Sequence, residues 1–534
     1  MALHNGSSTL INNTATATLR QAVSLLFERV DCSEGAVSES PAGEADSALS
    51  CTYLLVHDLC SLADRQTARW LRVSSLDLEL ILELLESVLL PHAAVFVRHG
   101  ALLALLRDQV CPLAVRLLSG QPEFGVLQRT VRLAWPIVKH FTAVLPEQCG
   151  RFVRRVVEML PSQAAGSWEN EGALWKRTVA MEMLSLLVAD RQALQELVLL
   201  GKDDGLSVCN SLVSGLFCAI KYGLLEDKVF PSLAGSQRRV GLQLLGEPQP
   251  NTSAGYALSL GIGAMIHMAE AMLTESGGPD GSGDGHSRAE QAARALAVGT
   301  WQPLLRMFAL VLDRCKALEM VEAVLGAYVS LAKTAATHRL DDAMGAVMSA
   351  MGDLASARAV PLSEKDVAVC GALFRCIAAL GAQLDSKAWL QAVSFLEYVD
   401  DVVGDPKAPV GDGRTEKEHR VQLLELLSEF YVDTSLLDPA AFERMATALD
   451  ALQSQRLAER DVQYREAPLT LPRPFAIVCW PRMFDGNVHR FDVCWALIGT
   501  SIFHASRRAI ASSNTRFTLG QSRICAKQRH IKTF

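Results

Sequence analysis

The stretch from Arg69 to Leu118 limits the possible folds more than any other part of this chain. Leu78, Ile81, Leu82, Leu85, Val88 and Leu89 recur at steps of three and four, and Leu103, Leu106, Val110, Leu113 and Leu117 do the same. That period gathers them on one face of a helix and leaves Glu79, Glu83, Glu86 and Arg107 for water. Pro91 ends the first helix, because its ring removes a donor and clashes with the preceding turn. A second helix follows within a few residues. Pro112 sits inside its pattern, so either a kink falls there or a new helix starts with Pro112 in its first turn. Two apolar-striped helices joined this tightly form a hairpin, which must bury its stripe against further helices.

The rest of the chain repeats the theme. Residues 9–30 read as a helix carrying Leu19, Val23, Leu26, Phe27 and Val30, with little before it to pack on. Further helices are expected at 49–63, 126–145 with Pro136 as a kink, 149–160, 174–190, 191–200, 206–226 and 254–274. Beyond them come 288–315, 316–335, 340–356, 363–383, 386–403, 416–432 and 439–460. Helices alternating with short loops over most of the 534 residues predict an all-α protein, an α-solenoid of armadillo- or HEAT-like hairpins with an irregular C-terminal tail. The spacing is irregular, and no single period can be extracted.

Breaks in the pattern divide the chain. Residues 1–31 hold the opening helix, and 32–48 form an acidic flexible linker. A helical domain spans 49–230, and 231–253 is a Gly-, Pro- and Ser-rich loop. Helices continue over 254–465, interrupted by a low-complexity insert at 275–287 that is expected to be disordered. The last segment, 466–534, is basic and aromatic, with 10 Lys/Arg against 2 Asp/Glu from Arg473 onward, and is expected to be unstructured. It could bind acidic lipid or nucleic acid, but it shares no packing logic with the body and reads more readily as a stretch foreign to it.

Composition narrows the function. The net charge of −7 and the acidic body leave no electrostatic footprint for nucleic acid. The 13 cysteines are scattered singly, with no CxxC pair and no Cys/His spacing suited to zinc, which points to buried free thiols in a reducing compartment. The sequence MALHNGSSTL does not read as a signal peptide. The longest uncharged apolar runs, 254–268 and 493–506, fall short of the roughly 18 residues a membrane span requires.

No catalytic, cofactor-binding or metal-ligating set emerges, so neither an enzyme nor a cofactor is expected. Asp203 and Asp204 in a Gly-Lys-Asp-Asp-Gly turn, Asp341 with Asp342, and Asp400 with Asp401 are paired carboxylates, but none has a partnering His or third acid nearby, and solvated turns explain them. His92, His99 and His140 stand alone on helices, where core or surface roles suffice. Leu245-Gly246-Glu247-Pro248-Gln249 is similar to the glutamate-finger loop of Arf-exchange domains, whose carboxylate displaces nucleotide phosphate. Here the flanking helices are missing, and a linker explains it.

Several stretches resemble the Mon-two family, trafficking scaffolds related to the large Arf guanine-nucleotide exchange factors but without their Sec-seven catalytic domain. Residues 11–30 are similar to that family's Asn-Asn-Thr-Ala…Arg-Gln helix, and Tyr53–Leu62 to its Asp-Leu-Cys element. Leu78–Leu89 resembles a Leu-Glu-Ser-Val-Leu helix, and Leu105–Leu117 a Val-Cys-Pro-Leu helix, which makes Cys111 and Pro112 structural marks. Trp175, Arg177, Ala180 and Glu182 fit a Trp-x-Arg-x-x-Ala-x-Glu pattern, and Gly255–Leu260 a Gly-Tyr-Ala-x-Ser-Leu helix start. The family's Tyr-Asp box is represented by residues 201–204, without the tyrosine. The resemblance covers most of 10–403. It implies the end of a dimerisation/cyclophilin-binding (DCB) region at 1–31, a homology-upstream-of-Sec-seven (HUS) region over 49–230, and only part of such a protein. It further implies a non-enzymatic scaffold for transport between Golgi and endosomes, cytoplasmic and peripheral on those membranes. A Dopey-type protein and an Arf-like small GTPase are the implied partners. The alternatives are an Arf exchange factor with Glu247 as its finger, or a different HEAT-type transport adaptor.

Overall fold

The computed structural model describes residues 9–33, 42–120, 122–160, 171–200, 204–225, 242, 253–273, 284–356, 363–404, 414–463, 479, 482, 483 and 487. Among these the regular elements are all helices, so the fold is all-α, and it falls into two compact units, Met1–Cys315 and Lys316–Phe534, each with helices packed on alternate neighbours as in a solenoid.

The first unit opens with α1 (Thr9–Ser33), α2 (Ala42–Ala63), α3 (Leu78–Leu89) and α4 (Ala93–Arg98). The second arm of the hairpin is broken into α5 (Gly100–Leu105), a π turn (Leu106–Val110) and α6 (Cys111–Ser119). Then follow α7 (Phe124–Phe141), α8 (Pro146–Glu158), α9 (Glu171–Ala189), α10 (Arg191–Val198), α11 (Asp204–Leu225), α12 (Ala254–Ala271) and α13 (Asp284–Arg314). Two series of contacts run through the unit. In one, α1 packs on α3, α3 on α7, α7 on α9 and α9 on α12. In the other, α2 packs on α5, α6 on α8, α8 on α11 and α11 on α13. The apolar stripe of α3 is buried as its period predicts, with Ile81, Leu82 and Leu85 closed to solvent.

Three details depart from the sequence reading. The α2 helix begins at Ala42 rather than at residue 49, because Ala, Glu, Asp and Ser extend a helix without an apolar period to announce it. Helix α7 runs through Pro136, which is buried within it. Pro112 lies near the start of α6, directly after the π turn, where its missing N–H is least costly. The buried set of this arm is Leu102, Leu105, Leu106, Val110, Cys111, Leu113, Ala114 and Leu118, while Leu103 and Leu117 sit at its edge.

Helices α11 and α13 contain stretches, Gly205–Leu224 and Arg288–Arg314, that are long and apolar enough by composition to cross a membrane, which the search for uncharged runs missed. Both are packed into the array, against each other and, for α11, against α8 and α12. The buried helix of a helical core passes the same compositional test.

The second unit comprises α14 (Leu318–His338), α15 (Asp341–Ser356), α16 (Glu364–Leu380), α17 (Ser386–Gly404), α18 (Arg414–Asp433), a 3₁₀ turn (Thr434–Leu436) and α19 (Pro439–Gln463). Each helix packs on the next but one: α14 on α16, α16 on α18, α15 on α17 and α17 on α19. Ser363 starts α16 with a capping box, its hydroxyl accepting from the Asp366 N–H while the Asp366 carboxylate accepts from the Ser363 N–H. Aromatic rings join neighbouring helices, with Phe374 of α16 stacked on Phe430 of α18 at 5.5 Å and tilted against Phe395 of α17 at 5.6 Å.

The C-terminal segment departs from expectation where it is described. Cys479 is buried with its Sγ 3.1 Å from Tyr431 Oη, and Arg482 donates to the Asp400 carboxylate at 2.7 Å. Asn487 donates to Thr434 Oγ1 at 2.8 Å. These residues therefore pack on α17, α18 and the turn between α18 and α19. Single inward residues without a repeating period leave no stripe in the sequence.

Candidate functional site

Two of the α3 glutamates expected in water, Glu83 and Glu86, face protein instead, while Glu79 stays largely exposed. Helix α3 lies between α1 and α7, so both of its sides are covered. Arg20 of α1 and Arg129 of α7 each reach Glu83 at 2.9 Å, and the Glu83 side chain is only 13 % exposed. Arg132, one turn further along α7, grips Glu86 through Nε at 3.0 and 3.1 Å and through Nη2 at 2.6 Å. Such a fork-to-carboxylate pair fixes the guanidinium plane as well as its position.

The remaining nitrogen of Arg132 has a different partner. Nη1 donates to the backbone carbonyl of Leu242 at 2.6 Å. The N–H of the same leucine donates to Glu182 Oε2 on α9 at 2.7 Å, and Tyr256 Oη on α12 donates to Glu182 Oε1 at 2.8 Å. Glu182 is fully buried, and Leu242 is 5 % exposed. Both main-chain polar groups of one residue are thus satisfied by side chains, in a seat assembled from α3, α7, α9 and α12. A buried carboxylate is tolerated because donors surround it. Alongside, Trp175 of α9 meets Phe124 edge-on at 5.4 Å, and Gly261 of α12 lets that helix come close to Met181 and Ile220.

A second charged anchor holds the connection after α2. Asp58 Oδ2 accepts the N–H groups of Trp70 at 2.7 Å and Leu71 at 2.8 Å. Burial alone would raise the Asp58 carboxyl, but the N–H groups of Leu71 and Trp70 outweigh it and hold the acid below its ordinary value of 3.8. The clamp spans a tight path in which Arg65 (φ 60°) and Arg72 (φ 51°) adopt left-handed backbone.

Asp58, Glu83, Glu86, Arg129, Arg132 and Glu182 fall within a recognisable domain. Residues 48–199 match the family described as Mon2/Sec7/BIG1-like, HUS domain. Over this region the chain is similar to proteins of that description. Curated relatives agree. Protein MON2 homolog of Xenopus laevis is 28 % identical over 226 residues, which is 36 % of this chain and 13 % of that protein. The Homo sapiens homolog gives the same figures, and that of Drosophila melanogaster is 27 % identical over 281 residues, 45 % of this chain and 16 % of its own length. The aligned regions span about one-seventh of the length of these curated relatives.

Within this region and the helices beside it the sequence motifs turn out to be neighbours. Glu86, from the Leu-Glu-Ser-Val-Leu helix, orients Arg132, while Glu182 and Tyr256, from two further motifs, bond to each other. Asp58, from the Asp-Leu-Cys element, is the loop anchor. The sequence reading had Glu86 in solvent and did not single out Arg132 or Leu242, because helical period reports burial relative to one axis and is silent about which distant residue a side chain meets.

The other candidates disperse. Asp203 and Glu247 lie outside the described residues, and so do residues 34–41 of the expected linker and 275–283 of the expected insert, whose last residues 284–287 are not disordered but open helix α13. Asp204 opens α11, where Gly205 is required because a Cβ there would collide with the carbonyls of Val198, Leu197 and Leu200. Asp341 and Asp342 are exposed in the first turn of α15. Asp400 corrects the solvated-turn reading: it lies within α17 and pairs with Arg482. His92 is a core residue, stacked on Phe27 at 5.5 Å, and burial lowers its affinity for a proton. His99 separates α4 from α5, and His140 is exposed near the end of α7. Cys60, Cys149, Cys209 and Cys376 are buried free thiols, each pushed up to about 12 by desolvation.

Proposed function

We propose that this chain is the HUS-bearing part of a scaffold for vesicle-mediated transport between Golgi and endosomes, acting by binding other proteins rather than by catalysis. The match of residues 48–199 to the HUS domain carries the reading. The arrangement of the described residues supports it: their charged groups clamp backbone and helices to one another, as in a rigid platform. A Dopey-type protein and an Arf-like GTPase are the proposed partners, and the cytoplasmic face of trans-Golgi and endosomal membranes is the proposed site of action. Affinity capture with the full chain should recover a Dopey-like or Arf-family protein. Capture of unrelated nuclear cargo alone would overturn the proposal. The exchange-factor reading is tested separately by nucleotide release from an Arf-family GTPase, comparing the chain with its E247K variant. The scaffold reading expects no stimulation by either.

A further inference from the structure

Helix α18 carries an outer face that the second unit leaves open. The helix packs mainly against α16, α17 and the turn that follows it. Among the described residues of the second unit, the exposed large apolar side chains are Val421, Leu424, Val432 and Leu436, and all four lie on this helix or in that turn. With the exposed Ser428 they recur at steps of three, four, four and four, so they make one stripe rather than scattered exceptions. Val432 is 62 % exposed and Leu436 82 %. Ser428 turns its hydroxyl back on the Leu424 carbonyl at 2.7 Å, so its donor is already used. In this unit α14 packs on α16 and α16 on α18, so the open place on α18 has the width of another helix.

An acidic ridge runs beside the stripe. Glu425, Glu429 and Asp433 each follow a stripe residue by one position, and Glu418 lies on the same side two turns before Glu425. All four are exposed, and none has an ion-pair partner among the described residues. Carboxylates four apart on a helix repel one another, so this ridge favours a cationic neighbour. Lys417 is exposed only near the start of the stripe. A second copy stacked antiparallel would set two acidic ridges side by side, and an anionic membrane surface would meet the same repulsion.

We propose that the outer face of α18 is a docking site for a basic amphipathic helix of a partner protein. Apolar side chains of that helix would cover Val421, Leu424, Val432 and Leu436, and its Lys or Arg residues would lie over the ridge. The proposal goes beyond the scaffold reading, which assigns no binding face. Its test needs no partner from the cell, so the two can fail separately.

The probe is a fluorescein-labelled synthetic peptide of 20 residues, the length of α18, with leucines on one helical face and lysines beside them. Added to the full chain and followed by anisotropy, it should bind saturably and more weakly as salt rises. V421S/V432S leaves the charge unchanged and should weaken binding about tenfold. E425K/E429K should weaken it at least as much and take up a matching peptide with glutamates in place of the lysines. E322K/D353K removes two exposed acids elsewhere in the same unit and should leave binding unchanged. Binding that survives both α18 variants, or that E322K/D353K abolishes, overturns the proposal. A wild-type chain that does not bind the lysine peptide overturns it too. So does a dimer in sedimentation that V421S/V432S dissociates, because a second copy then holds the stripe.

Discussion

Helix α3 of the first unit and helix α16 of the second meet their neighbours with different chemistry. In the first, α3 meets α1 and α7 through guanidinium–carboxylate pairs: Arg20 and Arg129 on Glu83, and Arg132 on Glu86. In the second, α16 meets α18 and α17 through rings, with Phe374 set between Phe430 and Phe395. Apolar burial is non-directional and tolerates small shifts between helices. A forked ion pair demands one distance and one angle, and half-buried it contributes less net stability than its Coulomb attraction suggests. The difference suggests a division of labour. The rings around α16 give cohesion, whereas the forks around α3 give fixed positions, which suits the residues that Arg132 holds.

Four substitutions can break or sharpen this contrast. The largest effect is expected in the ring-packed unit. F374A removes contacts with two rings and should cost about 3–5 kcal/mol, measured by denaturant unfolding and insensitive to salt. Next, R132M leaves Glu86 without its fork and Leu242 without its donor. It should destabilise the first unit by about 2 kcal/mol, and amides of α3 and α7 should exchange faster with solvent. If F374A proved salt-sensitive or R132M harmless, the contrast would fail. D58N, third in size, should cost about 1–2 kcal/mol by weakening acceptance from Trp70 and Leu71. Its sign with pH is fixed. The folded carboxyl is depressed, so its contribution is complete above the ordinary value of 3.8 and fades as the pH falls through the lower folded value. The variant should therefore flatten that part of the acid limb of a stability–pH profile. The smallest effect belongs to the exposed α8 pair Glu147–Arg151: R151A should change stability by about 0.3 kcal/mol, lost in high salt.

The sequence was most legible where one face of a helix is apolar and the other wet. The expected 340–356 and 386–403 became Asp341–Ser356 and Ser386–Gly404 for that reason. Legibility failed where both faces are covered. Glu83 and Glu86 alternate with leucines as solvent-facing residues would, and only the presence of α1 and α7 reveals them as internal. Leu242, Arg482 and Asn487 were illegible for another reason. Each is held by contacts with helices distant in sequence, so no local pattern records its partner. The family motifs marked Glu86, Glu182 and Tyr256 one by one, but the bonds joining them through Arg132 and Leu242 belong to the fold alone.

The π turn at Leu106–Val110 acts on everything after it. An ordinary helix advances about 100° per residue, so one additional residue in a turn rotates the next helix about its axis by that angle. Cys111, Leu113, Ala114 and Leu118 reach the interior on that rotated heading. Deleting a single residue between 106 and 110 would convert the turn to regular helix and swing those four buried side chains about a quarter-turn from their interior heading. The bulge is therefore a phase setter. It decouples the face α5 presents to α2 from the face α6 presents to α8, and lets one arm of a hairpin serve two neighbours whose directions a straight helix could not reconcile.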